Sequence, residues 1–217
     1  MSDGISVYQD MNVQVAEGKR SAFRKLLIEG AKAPWRYDAE RSADINRNAG
    51  DEEAFAFIRE EGPGLEAAAL VLWENQDGYA VVNIVPQHSA KLSSAEYNAL
   101  LADFVSRIAF PAASLIGCTV TSSSPVQSLK DWMSEEAAQA LQRFSGAANK
   151  STGANHPLDE RRWFDFVIAV HRSGQTPGTD MLTRWLTEIE GWDEDTTFDL
   201  ASEFERGLAL LTRYDGG

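Results

Sequence analysis

The sequence has little cysteine, histidine, proline or positive charge. One cysteine, Cys118, in 217 residues excludes an intrachain disulfide framework and fits a reducing compartment. Three histidines, His88, His156 and His171, stand too far apart to form a local ligand pair, so no zinc site is legible. Apolar runs are short: none approaches the ~18 residues of a membrane span. The opening segment MSDGISVYQDMNVQVAEGKR lacks the basic start and continuous apolar stretch of a signal peptide. A cytoplasmic chain without membrane contact and with no cofactor is expected. Lys and Arg number 20 against 33 Asp and Glu, for a formal charge of -13 at pH 7.

What is present is enough for a core. Hydrophobic residues make up 43% of the chain and include ten Phe and six Trp, which excludes global disorder. A chain of this length buries about 70% of its unfolded surface, so neither metal nor disulfide is needed to complete it.

Apolar and polar side chains alternate over Met11-Asn-Val-Gln-Val15, as in a half-buried strand, here expected at a sheet edge. Residues 17–31 place Phe23, Leu26 and Leu27 on one side of an amphipathic helix closed by Gly30 and Pro34. Residues 35–50 show no regular pattern. Three apolar runs follow, at residues 54–58, 67–73 and 79–85, separated by Gly62-Pro63-Gly64 and Asn75-Gln-Asp-Gly78. Those separators supply turn geometry, so an antiparallel meander is expected. A short helix capped by Asp51 is the alternative for the first run.

Ser93-Ser-Ala-Glu96 reads as a capping box, with Leu92 placed to staple onto Tyr97. The helix it starts carries Leu100, Leu101, Phe104, Val105 and Ile108 and is expected to stop at Pro111. A later strand over residues 115–120, with Ile116, Cys118 and Val120 facing the core, should rejoin the sheet. Beyond Ser122-Ser-Ser-Pro125 the period becomes helical. One helix begins at Ser128. A second begins at Pro157 and is apolar nearly all round, from Trp163 to Val170. Two more carry the stripes Met181, Leu182, Trp185, Leu186, Ile189 and Phe198, Ala201, Phe204, Leu208, Leu211. The fold class expected is α+β: an antiparallel sheet, built of the meander and a later strand, with packed helices over residues 1–124, then a helical unit over 125–217. The two share one core or form two.

Motifs for chemistry fail on spacing or context. Asn149-Lys-Ser-Thr-Gly153 lacks the glycines of a phosphate loop and follows a helix. Gly62-Pro63-Gly64-Leu-Glu-Ala67 matches a dinucleotide fingerprint in letters but leads into a strand instead of opening a helix. Ser122, Ser123 and Ser124 lack the glycines of a nucleophile elbow. Asp193, Asp195 and Asp199 lack the glycine and terminal glutamate of a calcium loop. His156 and Asp159 stand three apart at a helix start, where capping explains them as well as acid/base chemistry does.

Charge is the remaining signal. Residues 18–47 carry eight Lys or Arg against four acids, whereas residues 180–205 carry nine acids against Arg184 alone. That sign repels nucleic-acid phosphates, so no nucleic-acid partner is expected, unless Trp35 and Tyr37 among Lys32, Arg36 and Arg41 stack on bases. The expectation is a non-catalytic, acidic protein-binding module acting on a basic protein partner. In composition and size it compares with an antitoxin or a toxin-neutralising immunity protein. Glu188, Glu190, Asp193, Glu194 and Asp195 form the ridge that would meet the partner, with Trp192 as aromatic anchor. The alternative is an enzyme, such as a hydrolase, with a cleft between the sheet and helical units that uses His156 and Asp159.

Overall fold

The computed structural model describes residues 4–49 and 52–216, which form two compact units: residues 6–125, and residues 126–216 with residues 4–5. Gly50 and Asp51, including the cap proposed for a helix at 54–58, lie outside the described residues. The class is α+β.

After a two-residue strand, β1 (Ile5–Ser6), the first unit builds one antiparallel sheet. Its strands are β2 (Met11–Gln14), β3 (Trp35–Asp38), β4 (Ala54–Arg59), β5 (Ala68–Asn75), β6 (Gly78–Pro86) and β7 (Thr119–Ser122). They lie in the order β3-β4-β5-β6-β2-β7. The β4–β5–β6 meander follows the three apolar runs. β2 alternates buried and exposed residues, but it is an interior strand and not an edge, because β7 pairs along its outer side from Met11↔Ser122 to Gln14↔Thr119.

Residues 35–46, which show no periodicity, form β3 and the helix α2 (Ala39–Asn46). The pairing of β3 with β4 ends at Asp38↔Ala56. Side chains of α2 then take over: Ser42 Oγ accepts the Ala56 N–H at 2.9 Å, and the Asn46 amide both accepts from and donates to the Ala54 backbone, at 2.7 and 3.1 Å. Backbone groups left without a strand are thereby satisfied by polar side chains.

Helix α1 (Arg20–Gly30) follows a 3-10 turn and buries Phe23 and Leu27. Helix α3 (Ser94–Phe104) starts at the capping box, with Ser93 and Glu96 bonded reciprocally; Leu92 and Tyr97 both lie in the core. Ser93→Ala is expected to cost about 1 kcal/mol in thermal or urea unfolding. Pro111 does not end this helix. A π-helical turn, Val105–Ala109, precedes α4 (Phe110–Leu115), and the Phe110 N–H donates to Val105 five residues back. The proline therefore falls in the first turn of a restarted α-helix, where its missing N–H costs little. The strand expected at 115–120 is displaced for the same reason. Residues to Leu115 remain helical, Gly117 turns the chain at φ 64°, and β7 begins only at Thr119. Cys118 is half-buried and precedes the strand. The core of this unit joins Trp35, Phe55, Phe57, Leu70, Tyr79 and Phe104.

In the second unit, β8 (Val126–Gln127) pairs with β1. Five helices follow: α5 (Leu129–Trp132), α6 (Glu135–Ala147), α7 (Pro157–Ser173), α8 (Thr179–Arg184) with a π-helical turn to Ile189, and α9 (Glu194–Asp215). The single helix expected from Ser128 is split, because Ser134 caps α6 afresh by accepting the Ala137 N–H. Trp163 is central: it is fully buried, with Phe144 and Phe166 at 4.9 and 5.2 Å. Phe164 is 51% exposed, so α7 is not apolar on all sides.

Candidate functional site

The acidic segment lies on α8, the turn after it and α9. Glu188 is exposed and bonded to Arg184 four residues back, at 2.7 Å. Glu190 is half-buried; its carboxylate accepts from Ser145 Oγ at 2.9 Å and its backbone carbonyl accepts from Lys150 Nζ. Asp193 is the N-cap of α9 and accepts from the Thr196 N–H and hydroxyl, both at 2.8 Å. Those bonds hold its carboxyl below the usual range. Glu194 and Asp195 are exposed in the first turn, where the helix dipole favours them. Of the expected ridge, then, Glu188, Asp193, Glu194 and Asp195 face solvent, while Glu190 is built into the helical unit.

Trp192 is not a surface anchor. After Gly191, at φ 69°, the chain turns inward. The indole is 2% exposed, stacks on Phe144 at 5.3 Å and donates to Ser145 Oγ at 2.7 Å. Phe198, expected on the packed stripe, is instead 70% exposed. Thr197, Leu200, Ala201 and Phe204 form the buried face of α9, and Phe198 lies about 120° round the helix from Phe204. The two aromatics thus exchange the places the sequence pattern assigns them.

Two further acids lie beside Phe198, on α9 beyond the ridge. A groove of about 370 Å³ runs between residues 151–155 and α9, lined by Phe198, Asp199, Ser202, Glu203 and Arg206 among others. Burial pushes the Glu203 carboxyl up and repulsion from Asp199 and Glu160 pushes it further, against a smaller opposing pull from Arg206. No salt bridge among the described residues engages Asp193, Glu194, Asp195, Asp199 or Glu203. The pairing of Asp199 with Glu203 is visible as i, i+4 spacing. The approach of Glu160, on another helix, is not.

His156 and Asp159 each bond to another partner. They line a cavity of about 620 Å³ in the helical unit, with Asn149, Asn155 and Arg162. His156 caps α7 by accepting the Leu158 N–H at 3.3 Å, and Asp159 accepts from Arg162 at 2.6 Å. His171 contacts the Asp215 carboxylate at 2.7 Å. Among the described residues no group of three or more His, Cys, Asp and Glu could hold a metal ion.

In the basic segment, Arg20, Arg24, Lys25, Arg36 and Arg47 each meet a carboxylate. Trp35 is 1% exposed and donates to Asp103 at 2.8 Å, so it offers no stacking platform for bases. No helix among the described residues is long and apolar enough to cross a membrane. The chain matches no known family, no curated protein and no solved structure.

Proposed function

We propose that the chain is a non-catalytic binding protein whose acidic surface on α9 captures a basic protein partner, in the manner of an antitoxin or a toxin-neutralising immunity protein. The observation that carries this reading is the row of exposed carboxylates on α9, Asp195, Asp199 and Glu203, none in a salt bridge among the described residues, beside a 70%-exposed phenylalanine. Asp199 and Glu160 repel the Glu203 carboxylate, and Arg206 offsets that repulsion only in part; a cation from outside would relieve the remainder. Such a field speeds encounter and selects sign, while a central aromatic supplies most of the affinity. Phe198 takes the anchoring role that Trp192 cannot.

The test begins with co-purification from the native source and continues with stopped-flow association of the partner identified. Asp195→Asn, Asp199→Asn and Glu203→Gln together are expected to slow association about tenfold at low salt and to flatten its salt dependence. Phe198→Ala should act mainly on dissociation. Asp193 is spared because it caps the helix. Glu203→Gln should leave stability unchanged or raised at pH 7, since a carboxyl pushed up in the folded state is a cost once ionised. An association rate indifferent to these changes and to ionic strength would refute the proposal and leave the acids as a solubilising surface.

A further inference from the structure

The two neighbours of β6 differ in length. β5 pairs along the whole strand, from Asn75↔Gly78 to Ala68↔Pro86, whereas β2 reaches only Gly78, Tyr79 and Ala80. Beyond Ala80 one edge of β6 has no strand beside it among the described residues. Residues 8–10 would continue the pairing, but they are drawn away. Asp10 exchanges bonds with Ser123, donating to its Oγ at 2.8 Å and accepting its N–H at 2.9 Å. The Gln9 N–H goes to Asn98 Oδ1 at 2.8 Å, and the Tyr8 hydroxyl donates to the Leu92 carbonyl at 2.8 Å. What remains is a slot of about 490 Å³ between residues 8–10 and 82–86, closed by Lys91, Leu92 and Tyr97.

Five successive β6 residues line this slot, although side chains of a strand alternate between faces. What they share there is the backbone edge. The Gln87 N–H donates to the Ala67 carbonyl at 2.9 Å, on the β5 side. In an antiparallel ladder the backbone groups alternate direction residue by residue, so Asn83 and Val85 also face β5, and Ile84 presents its N–H and C=O to the slot. A bulge at Val71/Leu72 leaves Val82 unpaired, and Val82 and Val85 are 62% and 39% exposed. The Tyr97 side chain closes the slot; the residue is 9% exposed and its hydroxyl has no hydrogen-bond partner among the described residues.

We propose that this slot binds an extended peptide segment by strand addition to β6. The backbone of Ile84 supplies the main-chain bonds, and apolar side chains of the peptide pack on Tyr8, Val85 and Leu92. Residues 82–86 span about 14 Å at the rise of a strand, enough for four or five peptide residues. With Asp10 and Lys91 both on the slot, recognition rests on backbone and apolar contact and not on net charge, which sets this site apart from the acidic surface of the other unit.

The test is NMR titration of the ¹⁵N-labelled full chain with capped hexapeptides that alternate valine with threonine, leucine with serine, and phenylalanine with serine. At least one is expected to shift and slow the exchange of the Ile84 amide, with submillimolar affinity. N-methylating the amides on one edge of that peptide should weaken it at least tenfold, while methylating the other edge should not. Tyr97→Phe should weaken it severalfold with the spectrum otherwise preserved. Any one of three results overturns the proposal: no shift around Ile84 with all three peptides, equal binding of both methylated forms, or concentration-dependent broadening of these residues without peptide, which would assign the edge to a second copy of the chain.

Discussion

Asp103→Ala is expected to destabilise the sheet unit by about 3–5 kcal/mol, the cost of leaving a buried charge without its partner. The Asp103 carboxylate accepts from Trp35 Nε1 at 2.8 Å, Arg59 Nε at 3.2 Å and Arg107 Nε at 2.7 Å. Arg59 is 4% exposed, so water cannot replace the lost anion. Its Nη1 keeps the carbonyls of Glu60 and Leu65 at 3.0 Å, but carbonyls do not neutralise a guanidinium. Asp103→Asn, which retains an acceptor, should cost less than alanine.

The same carboxylate predicts an acid limb in stability. Burial alone would raise its pKa, but the bonds from Arg107, Trp35 and Arg59 outweigh burial and hold it below the usual range. A carboxyl depressed in the folded state contributes stability that is complete above its unfolded value, near 4, and is lost as pH falls through the folded value. Urea unfolding from pH 7 to pH 3 should therefore show a steeper acid decline in the parent than in Asp103→Asn. Equal slopes would show that the three donors do not act on Asp103 as the geometry requires.

Trp163→Ala should cost the helical unit about 3–5 kcal/mol, since it removes a large, fully buried ring and leaves a cavity. Phe144 lies at 4.9 Å and Phe166 at 5.2 Å from the ring, and both would lose a packing face. The indole N–H is buried with no hydrogen-bond partner, so Trp163→Phe gives up area but also a polar group in an apolar site, and should be milder than alanine. Equilibrium urea denaturation followed by circular dichroism measures both. A loss below about 1 kcal/mol for the alanine variant would remove Trp163 from the core.

The features legible in sequence are those whose physics is local. Turn residues at 62–64 and 75–78 bound the strands of the meander, because glycine and its neighbours set backbone angles wherever they stand. The Ser93 and Glu96 box is legible for a similar reason, as its bonds close within four residues. Of the candidate site, the carboxylates from Glu188 to Asp195 could be read directly.

Features that depend on a partner element were hidden. Residues 35–46 show no period, since β3 is short and α2 serves β4 through the polar side chains of Ser42 and Asn46 and not through an apolar stripe. Pro111 reads as a stop, yet a π-helical turn placed ahead of it lets the helix resume. Trp192 and Phe198 exchange burial because Gly191 redirects the chain and because the buried face of α9 is chosen by the helices packed on it; an apolar stripe alone leaves that face uncertain by one or two positions. The approach of Glu160 to Glu203 and the unpaired edge of β6 beyond Ala80 likewise exist only in three dimensions. Local propensity and charge composition were set by the sequence alone. Which side chains meet, and which edges are left open, was decided by the tertiary structure, since burial is a property of the neighbours a residue acquires on folding and not of the residue itself.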